Sequence, residues 1–136
     1  MDFHPKTLRI AVGGYTGPSY SVELCDGKLR YEAREYGYAN PRSESIAPTE
    51  EQWAQFRSAL DSGRVWQWQP DYPNPGAVDG TQWSIEVAYE DATVLSHGDN
   101  SYPKANGKPS GNPDGTREFN RLMRAVRALL GGRRFE

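Results

Sequence analysis

Apolar residues recur at every second position in several stretches of the chain. Leu8, Ile10 and Val12 alternate with Arg9 and Ala11, and Tyr20, Val22 and Leu24 alternate with Ser21 and Glu23. Leu29, Tyr31 and Ala33 carry the pattern onward. The clearest run is Trp83, Ile85, Val87 and Tyr89, interleaved with Ser84, Glu86 and Ala88, and it resumes over 93–96 after the acidic break at Glu90 and Asp91. Period two puts each apolar set on one face of a strand. The spacing predicts a strand over 7–13, a hairpin over 20–33 and a second hairpin over 83–96. Gly13, Gly14, Gly17 and Pro18 end the first strand in a turn. Asp26 and Gly27 supply residues that tolerate the positive φ of a type I′ turn.

Two other stretches switch to helical spacing. Trp53, Phe56 and Leu60 share one face, Thr49 and Gln52 form a capping-box pair, and Glu50 and Glu51 complement the positive end of the helix dipole. Gly63 marks the end of this helix. Phe119, Leu122, Met123, Val126, Leu129 and Leu130 form a second amphipathic stripe. Asp114 and Thr116 are alternative caps for it, Gly131 and Gly132 stop it, and 133–136 reads as a tail. Residues 65–69 read as a short strand, with Trp66 and Trp68 pointing one way. Residues 34–47, 70–80 and 98–115 read as loops, and the last is long enough to suggest function.

These elements imply a single α+β domain over 1–136, an antiparallel sheet of about five to six strands with two helices packed on one face. Trp83, Ile85, Val87, Tyr20, Val22 and Leu24 are expected to face Trp53, Phe56, Leu122, Met123 and Val126. Tyr20 to Leu24 echoes Trp83 to Val87, and each run leads through an acidic turn to a returning strand, a polar loop and a helix. A duplicated strand–hairpin–loop–helix unit is one explanation; the ordinary makeup of a two-hairpin domain is the other.

Composition sharpens this picture. Hydrophobic residues make up only 36% of the chain, but four Trp and eight Tyr compensate, since each buries a large area. Net charge is −2, unevenly spread. Residues 117–136 hold six Arg against Glu118 and Glu136, a local +4 that leaves −6 for the remainder. The acidic body and the lack of a basic-aromatic motif argue against nucleic acid as partner. A lone cysteine, Cys25, excludes an internal disulfide and favours a reducing compartment. The N-terminal residues lack a basic head and long apolar run, and no apolar stretch is long enough to span a bilayer. A cytoplasmic location is expected, with no membrane association.

Chemistry-bearing motifs are sparse. His4 and His97 are the only imidazoles, and no metal-ligand spacing surrounds them, so neither a metal nor another cofactor is expected. Cys25 has no adjacent base, no Ser sits in a GxSxG setting, and Gly107 to Ser110 lacks the Ser or Thr of a phosphate loop. His97 and Asp99 are the candidate acid–base pair, although Gly98 and Asn100 beside them also describe a plain turn. Arg117, Arg121 and Arg124 share one helix face, either as an anion-binding strip or as a solvated surface opposite the core stripe. Tyr36, Tyr38, Trp66, Trp68, Tyr72 and Tyr102 lie in or near loops. They form a binding patch if exposed together and core if they close over the sheet. The combined reading is a non-enzymatic binding module acting through protein–protein interaction, for example an inhibitory or toxin-neutralising partner. The alternative is a small hydrolase using His97 and Asp99.

Overall fold

In the computed structural model, residues 3–14, 17–36, 40–73, 81–99, 101–103, 109–110 and 116–135 are described. The alternating stretches form strands at the expected places: β1 (Thr7–Gly13), β2 (Ser19–Cys25) and β3 (Lys28–Arg34), then, later in the chain, a further hairpin. Asp26 and Gly27 take φ values of 51° and 79°, the two left-handed positions a type I′ turn demands. Short β4 (Arg42–Ile46) follows within the stretch expected to be loop. Four of its five side chains are exposed and only Ile46 is buried, so it carries no alternation for a sequence reading to detect. The capping box of α1 (Glu50–Ser62) is present in both directions, with the Gln52 N–H donating to the Thr49 hydroxyl and the Thr49 N–H donating to the Gln52 side chain.

α1 ends at Gly63 as expected, and the chain departs from expectation just beyond it. Gly63 stays right-handed, and Arg64 takes the left-handed conformation at φ 52°. The reversal starts a 3₁₀ turn, Val65–Gln67, where a strand was expected. The Gln67 N–H donates to the Arg64 carbonyl and the Trp68 N–H to that of Val65. Trp66 and Trp68 therefore do not share a strand face. The chain then adds β5 (Asp71–Tyr72), β6 (Gln82–Ala88) and β7 (Thr93–Asp99), the last three residues longer than the pattern indicated. A separate two-stranded ladder pairs β8 (Tyr102–Pro103) with β9 (Pro109–Ser110) inside the stretch expected to be loop. The final helix, α2 (Arg117–Leu129), is capped by Thr116, whose hydroxyl accepts from the Phe119 N–H and donates to the Pro103 carbonyl.

The main sheet has seven strands in the order β4–β3–β2–β1–β6–β7–β5. All pairs are antiparallel except β5 with β7, which makes the sheet mixed rather than antiparallel; β4 and β5 at its edges were not expected, and the strand expected over 65–69 is absent from it. The central strand β1 is flanked by β2 and β6, both antiparallel to it and thus parallel to each other. From β2 the next strand lies away from β1 on one side; from β6 it lies away on the other. Both hairpins bury the same face of the sheet. They run outward from β1 in opposite directions, with Tyr20 and Trp83 both paired to Val12.

Leu8, Ile10, Val12, Tyr20, Val22, Leu29, Trp83, Ile85 and Val87 are all buried on one face, in one core with Trp53, Phe56 and Leu60 of α1 and Phe119, Leu122, Met123 and Val126 of α2. Both helices thus cover the same side. The tail belongs to this core as well. Phe135 is fully buried beside Tyr20, with ring centroids 6.0 Å apart. The Phe135 carbonyl accepts from Arg127, and the Tyr31 hydroxyl donates to the Arg134 carbonyl at 2.6 Å. Gly131 and Gly132, at φ 68° and 91°, provide the reversal that folds the tail back.

Two consequences can be measured. Phe135→Ala removes a buried ring at the end of the chain and is expected to cost about 3 kcal/mol, seen as a lower urea midpoint at unchanged slope. Arg64→Gly releases a left-handed backbone from its Cβ and is expected to raise stability by about 0.5 kcal/mol in the same titration.

Candidate functional site

The face of the sheet opposite the helices carries no covering element among the described residues. In an antiparallel register, paired residues point the same way, so one row crosses five strands: Glu32, Ser21, Ala11, Ser84 and His97. Asp71 on β5 pairs with His97 and completes the row at the sheet edge. A neighbouring row runs Arg34, Ser19, Gly13, Gln82 and Asp99. The middle positions of the two rows are Gly, Ala and Ser except for Gln82, and the charged residues stand at the ends. The result is a trough of about 890 Å³ over the central strands, with Glu32 and Arg34 at one end and Asp71, His97 and Asp99 at the other. The row below it is a ladder of charge. Within it Arg9 pairs with Glu23 at 3.2 Å, and Arg30 reaches across to Glu32 of the trough row at 3.1 Å.

The imidazole of His97 meets Asp71, with Nδ1 and Oδ1 3.2 Å apart and both side chains more than half exposed. This carboxylate was missed in the sequence, where Asp99 is the nearer acid. Asp99 lies two residues along the same strand and lines the same trough. Asp71 is 26 positions away and reaches His97 only because β5 pairs in parallel with β7. The pairing is held by the His97 N–H donating to the Pro70 carbonyl at 3.1 Å and the Ser96 hydroxyl donating to the Gln69 carbonyl. Ser84 stands directly opposite His97 on β6. The row Ser84–His97–Asp71 has the order of a nucleophile, a base and the group that orients the base. No hydrogen bond joins the Ser84 hydroxyl to the imidazole, however, and the site is open to water. Among the described residues, no group of three His, Cys, Asp or Glu side chains is placed to hold a metal ion.

The loop aromatics do not form one surface. Trp68, Tyr72 and Tyr102 are interior, where no partner reaches them. Trp68 and Tyr72 each pack 5.8 Å from Trp83, and Tyr102 packs 4.8 Å from Phe119. They belong inside because Trp83 lies over Gly98, its cross-strand partner, and donates its indole N–H to the Ser101 carbonyl at 2.9 Å. A methyl group on Gly98 would overlap that indole nitrogen and that carbonyl. Tyr36 is 53% exposed and, with Leu95 at 63%, is one of two large apolar residues exposed among those described. Tyr38 falls outside the described residues. The arginines of α2 lie on its outer side. Arg117 and Arg124 join Arg127 around a shallow depression of about 400 Å³, while Arg121 runs past Gly63 at the end of α1.

Trp66 is half-buried and takes part in a clasp that the sequence did not reveal. The Arg57 guanidinium sits 5.2 Å from the Trp66 ring and 4.5 Å from the Tyr89 ring, and the two rings meet edge-on. The same guanidinium grips Asp91 through two bonds of 3.0 and 2.9 Å and Asp61 through a third of 3.0 Å. Trp66 also donates its indole N–H to Asp61. The clasp ties α1 to the turn between β6 and β7. Its bidentate hydrogen bond from Arg57 holds the Asp91 carboxyl below its ordinary range, and burial pushes the Tyr89 hydroxyl up to about 12.

Compared with known proteins, the chain matches no family model and no curated sequence. No helix among the described residues is long and apolar enough to cross a membrane.

The clasp has a testable pH signature. A carboxyl whose folded pKa is depressed stabilises the fold above its unfolded pKa, near 3.9, and that contribution vanishes as pH falls through the folded value. Asp91→Asn is therefore expected to lower the melting temperature at neutral pH. The gap from the parent should narrow below about pH 4, as read by thermal denaturation across a pH series.

Proposed function

We propose that the chain is a binding module that acts through a protein partner, as an inhibitory or toxin-neutralising protein does, and that the uncovered face of its sheet receives that partner. The observation that carries this reading is the trough. A seven-stranded sheet places both helices on one side and leaves on the other a rigid floor of Gly, Ala and Ser walled by charged side chains. Backbone hydrogen bonds across seven strands hold such a floor in place before any partner arrives, so little ordering cost opposes binding. The charged rim of Glu32, Arg34, Asp71, His97 and Asp99 offers both signs of charge, which favours a specific register over general stickiness.

A hydrolase is the second reading, and it draws on the Ser84–His97–Asp71 row. The openness of the trough weighs against it, because an exposed imidazole–carboxylate pair is solvated at the moment catalysis needs it dry.

One set of measurements separates the two. A photo-reactive residue placed at Ser84 is expected to give a protein adduct in cells of the native source, and one placed at Arg124 is not. Excess unlabelled parent protein should abolish that adduct, while the Ser21→Arg variant, which fills the trough, should not. Equal competition by both proteins would remove the trough as the binding surface. In the same preparations an activated ester is expected to turn over equally with the parent and with His97→Ala. A drop of roughly 100-fold in the variant would install the hydrolase reading instead.

A further inference from the structure

A second concavity lies on the helix side of the sheet, where β3 and β4 meet the C-terminal tail. It encloses about 1160 Å³, and its floor is formed by Tyr20, Tyr31 and Ala33. Four arginines surround it: Arg34 from the end of β3, Arg42 from the start of β4, and Arg133 and Arg134 from the tail. Only two acids, Glu35 and Glu44, line it with them. On a chain of net charge −2, the basin is thus a local centre of positive charge.

The arginines are not equivalent. Arg133 is committed, since its Nε lies 2.6 Å from Glu44 and its Nη1 donates to the Leu130 carbonyl. Arg34, Arg42 and Arg134 have no ion-pair partner among the described residues. Arg134 is nevertheless held in position. Its carbonyl accepts from the Tyr31 hydroxyl, its guanidinium rests 5.8 Å from the centre of the Tyr20 ring, and the next residue, Phe135, is buried. Its N–H fork is oriented but unused. Exposed Tyr36 stands at the rim and offers an apolar, hydrogen-bonding edge. Guanidinium groups fixed in advance suit carboxylates, which they bind through two parallel hydrogen bonds.

We infer that this basin binds an acidic segment of a polypeptide. Its volume exceeds the range of about 300–1,000 Å³ typical of small-molecule sites. Its arginines come from three separate segments, the end of β3, the start of β4 and the tail, which fits several side-chain carboxylates in a row better than a single compact anion. The edge strand β4 forms one wall, so an extended segment can lie along it. The inference is independent of the uncovered-face reading, since only Tyr20 and Arg34 line both concavities and neither is varied in the test.

The probe is a fluorescein-labelled hexaglutamate peptide, followed by anisotropy at low ionic strength. Saturable binding below about 1 mM is expected, weakening on addition of salt. Arg42→Ala combined with Arg134→Ala should weaken it at least tenfold, and Arg117→Ala combined with Arg124→Ala should leave it within twofold. Because Arg134 touches the core, Arg42→Ala and Tyr36→Ala are measured singly as well. Both residues are exposed, so loss of several-fold in either, with an unchanged circular dichroism spectrum, reports on the basin and not on folding. Absence of saturable binding, or equal weakening by the two double variants, overturns the inference. So does tighter binding of pyrophosphate at the same arginines, which would make the basin a small-oxyanion site.

Discussion

Everything at one end of this molecule depends on the contact of Trp83 with Gly98. The indole can pack over β7 only because its cross-strand partner has no side chain. Once there, it donates to the Ser101 carbonyl and collects Trp68, Tyr72 and Phe119 around it. These rings come from the residue that follows the 3₁₀ turn, from the edge strand β5 and from α2, so one packing contact ties the 68–72 segment to the last helix. Tyr72 anchors inward against Trp83, and its neighbour Asp71, one residue earlier, is turned outward onto the opposite face by strand alternation. The outward carboxylate that meets His97 is a by-product of an inward aromatic contact.

The same logic divides the sheet into two sides with different tasks. On the helix side, aromatic bulk substitutes for scarce aliphatic residues, and even the penultimate residue of the chain is drawn into the core. On the other side, small residues in the central strands let the surface sink while charged residues rise at its ends. A trough follows from side-chain heights alone. The Arg57 clasp closes the structure at one helix end, where two rings and two carboxylates surround one guanidinium on a side chain only 16% exposed. The tail closes it at another, where a buried phenylalanine fixes the arginine before it.

Local patterns in the sequence were reliable where local physics decides. The alternation of Leu8, Ile10 and Val12, the Asp26 and Gly27 turn, the Thr49 and Gln52 capping box and the stripe from Phe119 to Leu129 each specify an element through neighbours a few positions apart. The expectation that both helices cover one face followed from matching a greasy sheet face to two greasy helix stripes. Where the reading departed from the structure, the missing information lay elsewhere in the chain. β4 has no alternation because an edge strand with one buried residue needs none. The turn at Val65 to Gln67 looked like a strand because Arg64, a residue with no preference for left-handed backbone, makes the reversal in place of Gly63. Trp68, Tyr72 and Tyr102 resembled loop aromatics because their surroundings are polar in sequence and apolar in space.

The sequence by itself determined the long strands β1, β2, β3, β6 and β7, the two helices and the apolar side of each, and it put forward His97 and the arginines Arg117, Arg121 and Arg124 only as candidates. Those properties arise from periodicity and turn chemistry, which act over a few residues. Only the tertiary structure decided the company these groups keep: Asp71 beside His97, Ser84 across from it, Asp91 bound to Arg57, and Arg42 and Arg134 lining one basin. Such pairings come from strand order, register and the parallel edge of the sheet, which are set by long-range packing and leave no periodic trace along the chain.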